Sequence, residues 1–117
     1  MEKIVEQGLL YDFYGELLNE HQKQIYEALV YNDMSLSEIA DEQGISRQGV
    51  HDLIKRCNKA LAGYEDKLHL VEKFQNAKKK VHLIDRIAES VEEGDTKELY
   101  DRLKQIRKLS NEILEEL

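Results

Sequence analysis

Six side chains able to bind without reacting, Ser46, Arg47, Gln48, His51, Lys55 and Arg56, stand together in one short stretch of this chain. Arg47, Lys55 and Arg56 are cations suited to phosphate oxygens. Ser46, Gln48 and His51 carry hydrogen-bonding groups suited to phosphates or to the edges of bases. His51 can equally stand in solvent. Covalent chemistry has little support, because the chain has no glycine-rich phosphate loop and no nucleophile elbow. Its single thiol, Cys57, falls on an apolar stripe, where cysteine behaves as a small hydrophobe. His21, His51, His69 and His82 lack the paired spacing of metal ligands. The expectation is a protein with no catalytic residues, no cofactor and no metal.

The elements that must position these six residues are written just upstream. The stretch SLSEIADEQGISRQGVHDLI, residues 35–54, has the spacing of a helix-turn-helix. Ser35 and Glu38 form a Ser-x-x-Glu capping box for a first helix, with Ile39 and Ala40 on its inner face. Ala40 is small where two helices cross closely. Gly44 can take the left-handed conformation of a sharp helix end, and Ile45 is expected to pack into the corner. Ser46 caps a second helix anchored by Val50 and Leu53, which leaves Arg47, Gln48, His51, Asp52 and Lys55 outside, the side such a motif offers to a major groove. A helix-turn-helix can also serve only as a packing or protein-contact unit.

Before the motif, Leu9, Leu10, Phe13, Tyr14, Leu17 and Leu18 predict an amphipathic helix. Asn19 ends it and, with Gln22, caps a second helix whose inner residues are Ile25, Ala28 and Leu29; Asn32 and Asp33 close that one. After the motif, Val50, Ile54, Cys57, Leu61, Tyr64, Leu68 and Val71 recur every three or four residues, the seam of a coiled coil. That spacing predicts one long helix from Arg47 into the seventies, projecting from a compact head. Val81, Ile84, Ile87, Ala88 and Val91 form a further stripe, Gly94 and Asp95 punctuate the chain, Asp95 with Glu98 suits a helix start, and Leu99, Leu103, Ile106, Leu109, Ile113 and Leu117 mark a last helix. The expected fold is all-α, with a helix-turn-helix head over 1–62 and a helical extension and carboxy-terminal helical hairpin over 63–117, packed with the head as one unit.

The 117 residues include no proline, 41% are hydrophobic and 35% charged, which permits long helices and a folded core. One cysteine cannot form an internal disulfide, and no apolar run resembles a signal peptide or a membrane span, so a cytoplasmic protein without membrane insertion is expected. The net charge of −7 opposes indiscriminate coating of nucleic acid unless positive charge is segregated. It is segregated. Residues 1–45 hold two basic side chains against ten acidic ones, residues 46–86 hold ten against five, and residues 87–117 hold five against nine. The positive block opens at the second helix of the motif and ends in Lys78, Lys79, Lys80 and Arg86; these are either a binding surface or solvated helix faces.

Residues 17–61, LLNEHQKQIYEALVYNDMSLSEIADEQGISRQGVHDLIKRCNKAL, resemble region 4 of bacterial sigma factors, which holds promoter DNA. That resemblance implies DNA-facing positions for Ser46, Arg47, Gln48, His51 and Lys55. Over nearly its whole length the chain is more closely similar to the YlxM family, small helix-turn-helix proteins associated in bacteria with the signal recognition particle. The matching signatures are LYDFYGELLNEHQ, YNDMSLSEIADEQGISRQGVHDLIKRC and GYEDKLHL, in that order. What this resemblance implies is a DNA-binding regulator acting in the signal recognition particle pathway, or alternatively an adaptor for the particle's protein or RNA. The seam and tail stripes, together with the two-fold habit of helix-turn-helix proteins, add a homodimer to the expectation.

Overall fold

The computed structural model describes residues 3–90 and 95–117, so Val91 and Gly94 of the apolar stripe and the punctuation lie outside the described residues. Among the described residues every regular element is helical, giving an all-α fold. Helices α1 (Lys3–Tyr14), α2 (Glu20–Val30), α3 (Leu36–Gln43), α4 (Arg47–Leu68), α5 (Leu70–Glu89) and α6 (Thr96–Glu116) follow in order, with a 3-10 turn at Gly15–Leu17. They form two compact units, Met1–Val71 and Glu72–Leu117.

In the first unit the helix starts are written locally. Asn19 Oδ1 accepts from the Gln22 N–H at 2.8 Å while Gln22 Oε1 accepts from the Asn19 N–H at 3.0 Å. Ser35 and Glu38 make the same reciprocal pair at 3.1 Å each. In both boxes two amide donors that a helix start leaves without partners are satisfied. The Ser35 N–H also holds the Glu38 carboxyl below its usual range. Helix α2 closes as Asn32 donates to the Glu27 carbonyl at 3.2 Å and Asp33 turns to φ +53°.

Three helices, α1, α2 and α3, lie against α4. Its stripe of Val50, Ile54, Cys57 and Leu61 is buried, together with Ile25, Tyr26, Ile39 and Ala40. The seam expected on a helix projecting from the head is therefore, from Val50 to Leu61, the core of the head itself. Nor does the long helix reach the seventies: α4 ends at Leu68 because His69 takes φ +55°, with its N–H still bonded to the Glu65 carbonyl at 2.9 Å. Leu68 is exposed.

The amino-terminal stripe is also rotated from the one expected. Tyr11, Tyr14 and Leu18 are buried, whereas Phe13 and Leu17 are exposed. Two features turn it. The 3-10 turn carries Leu17 outward, and the Tyr11 ring lies over Gly15, where a Cβ would sit 2.7 Å from Tyr11 Cε2. Each buried hydroxyl has a partner: Tyr11 donates to Glu27 Oε1 at 2.6 Å, Tyr14 to Glu65 Oε1 at 2.5 Å and Tyr26 to Asn58 Oδ1 at 2.5 Å. The Tyr14–Glu65 pair also starts α5, since the Leu70 N–H donates to Tyr14 Oη at 3.1 Å and the Val71 N–H to Glu65 Oε1 at 3.0 Å.

Burial raises the hydroxyl pKa of Tyr11, Tyr14 and Tyr26 above the ordinary value of 10.0, and the carboxylates of Glu27 and Glu65 add to the rise for Tyr11 and Tyr14. The folded head thus holds these protons more tightly than the unfolded chain does. Their contribution to stability is complete below the unfolded pKa and declines as pH rises past it. Tyrosinate absorbance and far-ultraviolet circular dichroism, followed together above pH 10, should show these phenols ionising as helix is lost. A full tyrosinate signal near pH 10 with intact helix would contradict the buried network.

Candidate nucleic-acid interface

The turn between α3 and α4 fixes how the second helix is presented. Gly44 takes φ +67° and ψ +32°, and the Ile45 N–H reaches back to the Ala40 carbonyl at 3.1 Å. Ile45, expected in the corner, is instead 36% exposed at its rim. Ser46 Oγ accepts from the Gly49 N–H at 2.9 Å and caps α4.

With Val50, Ile54, Cys57 and Leu61 inward, the helical repeat puts the other arc of α4 in solvent. Ser46, Arg47, Gln48, His51, Lys55 and Arg56 are all exposed. Arg47, Gln48 and His51 line one open recess with Leu36, at the junction of the two motif helices. Lys55 continues the arc one turn on, while Arg56 stands at its far edge. Lys59, which the motif spacing does not include, is exposed on the same line, seven residues after Asp52 and four after Lys55. The four-residue step from Lys55 is the signal that points to it.

Asp52 gives the face its polarity. Gln48 Nε2 donates to Asp52 Oδ1 at 3.0 Å, and His51 Nδ1 lies 3.5 Å from the same oxygen. A carboxylate only accepts, so the Gln48 amide must turn its nitrogen toward Asp52 and leave its carbonyl oxygen outward. The arc therefore offers cations at both ends and a polar centre with one negative charge. Cys57 takes no part, since it is buried and burial pushes its thiol pKa up. Among the described residues, no cluster of histidine, cysteine, aspartate and glutamate could hold a metal ion, and no helix is long and apolar enough to cross a membrane.

Fold and turn together define a helix-turn-helix protein. Over residues 1–106 the chain matches the family described as "Putative helix-turn-helix protein, YlxM / p13 like", and it belongs to that family. It is 38% identical over 104 residues to a UPF0122 protein of Clostridium kluyveri, covering 89% of this chain and 94% of that one. With a UPF0122 protein of Acetivibrio thermocellus it shares 42% over 114 residues, covering 91% and 97%. With one from Caldanaerobacter subterraneus subsp. tengcongensis it shares 51% over 76 residues, 65% of each chain.

No atom lies within 4 Å of a Cβ built at Gly44, so a side chain there meets only backbone strain. Gly44→Val should lower the stability of the head by about 1 to 2 kcal/mol. Urea unfolding at an unchanged midpoint would show that the turn does not need the left-handed conformation.

Proposed function

We propose that this chain is a non-enzymatic, cytoplasmic regulatory protein that binds duplex DNA with the exposed arc of α4 in the major groove. The observation that carries this reading is the arc itself, which gathers Arg47, Gln48, His51 and Lys55 on the solvent side of a helix whose opposite side is the core. Arg47, Lys55 and Arg56 contact phosphates, and Lys59 extends that row. Ser46, Gln48 and His51 meet base edges or phosphates. The outward Gln48 oxygen favours a base that presents a donor, cytosine N4 or adenine N6.

Residues 1–45 carry two basic side chains against ten acidic ones, which repels nucleic acid from the rest of the head and restricts contact to α4. The same acidity suits a basic protein partner. It favours the second reading, an adaptor for the protein or RNA of the signal recognition particle. The regulatory reading includes action in that particle's pathway, and a homodimer that presents two recognition helices to one duplex.

Binding of the chain to fragmented genomic DNA and to signal recognition particle RNA, each across a salt series, separates the two. The expected result is DNA binding whose log–log salt slope becomes shallower by roughly 2 when Arg47 and Lys55 are both changed to alanine, about 0.9 for each phosphate that is no longer neutralised. Asp52→Asn should strengthen binding several-fold at low salt and less at high salt, because it removes a charge that repels phosphate. An unchanged slope in the double variant removes α4 as the binding element. Tight binding to the RNA with none to DNA replaces this reading with the adaptor.

A further inference from the structure

The second unit is a helical hairpin without an interior. Lys80 Nζ lies 3.5 Å from Glu112 Oε2 and bonds Glu116, and Arg102 Nη1 donates to the Ser90 carbonyl at 2.5 Å. The helices of this unit therefore run antiparallel, with residue 80 level with 112–116 and residue 90 level with 102. Their facing sides are Ala77, Lys80, Ile84 and Ile87 on α5 and Leu99, Arg102, Ile106, Leu109 and Ile113 on α6, all half-buried. Among the described residues from Glu72 onward, none is buried.

A second apolar stripe runs beside the first. At about 100° per residue, Val81 and Ala88 stand roughly a quarter-turn from the facing side of α5, as do Leu103 and Leu114 on α6, with Tyr100 further round. Because the helices are antiparallel and both right-handed, the two quarter-turns point the same way, and the stripes share one face of the hairpin. Val81 is 55% exposed, Tyr100 60%, Leu103 58% and Leu114 68%. Leu83 alone projects from the opposite face, as single surface leucines often do.

The outer margins of this face carry charge in a particular order. Lys78, Asp85 and Glu89 border it on α5; Arg107 and Lys104 border it on α6, with Lys104 Nζ 4.6 Å from the Tyr100 ring centre. A two-fold axis parallel to the helices lays each α5 over the α6 of a second copy, antiparallel and at the same level. The hairpin's own register then sets Asp85 against the partner's Arg107 and Glu89 against the partner's Lys104. Both pairs are of opposite sign. We propose that this face is the homodimer interface, and that two hairpins form an antiparallel four-helix bundle around Val81, Leu103 and Leu114. The face is two helices wide and 21 residues long on α6. That is roughly 20 Å by 30 Å, of the order of the 800 Å² per partner that a stable dimer buries.

This rests on the reading of the chain as a homodimer and not on its binding to DNA, so the test omits nucleic acid. Light scattering of the full chain at micromolar concentration should give about 27 kDa, twice the 13.7 kDa of one chain. Leu103→Glu with Leu114→Glu should halve that mass while the Cys57 thiol stays protected in its folded head. Asp85→Arg and Arg107→Asp should each shift the population toward monomer, and the two together should restore the dimer, because the swapped pair is again complementary. A parent of 13.7 kDa overturns the dimer. A dimer that survives both glutamates, or a double charge swap no more dimeric than its single variants, overturns the interface.

Discussion

The head depends on one stripe. Val50, Ile54, Cys57 and Leu61 are spaced by four, three and four residues, and α1, α2 and α3 all close on the side of α4 that carries them. Burying an aliphatic side chain contributes about 1.5 to 3 kcal/mol. Rolling α4 by one residue would put His51, Lys55 and Asn58, or Gly49 and Arg56, into that interior and release several such contributions at once. The outward direction of Gln48, His51 and Lys55 is thus enforced by residues that touch no ligand. In the binding proposed above, a surface held this way would lose little conformational freedom, because the helix beneath it is already fixed.

Features confined to three or four residues are legible in the sequence itself. Asn19 with Gln22, Ser35 with Glu38, Gly44, Ser46, and Asp95, which caps Glu98 N–H at 2.9 Å, all occupy their expected roles. The features that escape such reading are settled across the fold. Leucine and aromatic residues at 9, 10, 13, 14, 17 and 18 allow two neighbouring stripes, and periodicity alone cannot choose between them. Partners 16 to 56 residues away make the choice: Glu27 for Tyr11, and Glu65 and Leu70 for Tyr14. His69 shows the same limit. Apolar spacing continues through it to Val71, which is buried, so nothing in the pattern marks a break, yet the Tyr14 and Glu65 oxygens satisfy the first amides of a new helix there. Lys59 is visible in the spacing of α4 but lies beyond the motif, where the helix-turn-helix pattern gives no reason to look.

Asp52 sets the character of the exposed arc more than any cation does. A row of Arg47, Lys55, Arg56 and Lys59 without it would hold any polyanion by charge alone. With it, the centre of the row repels phosphate and binds the Gln48 amide, so a ligand gains from this face only by placing neutral hydrogen-bonding groups opposite Gln48 and His51. Unfavourable placement of the wrong group is how discrimination is achieved when attraction is unspecific. The acidic block of residues 1–45 acts in the same direction over a longer range, since it weakens every approach except the one led by α4. Net negative charge in a helix-turn-helix protein is therefore no contradiction: in the binding proposed above it would lower affinity for nucleic acid in general and leave a few well-placed side chains to decide which sequence is held.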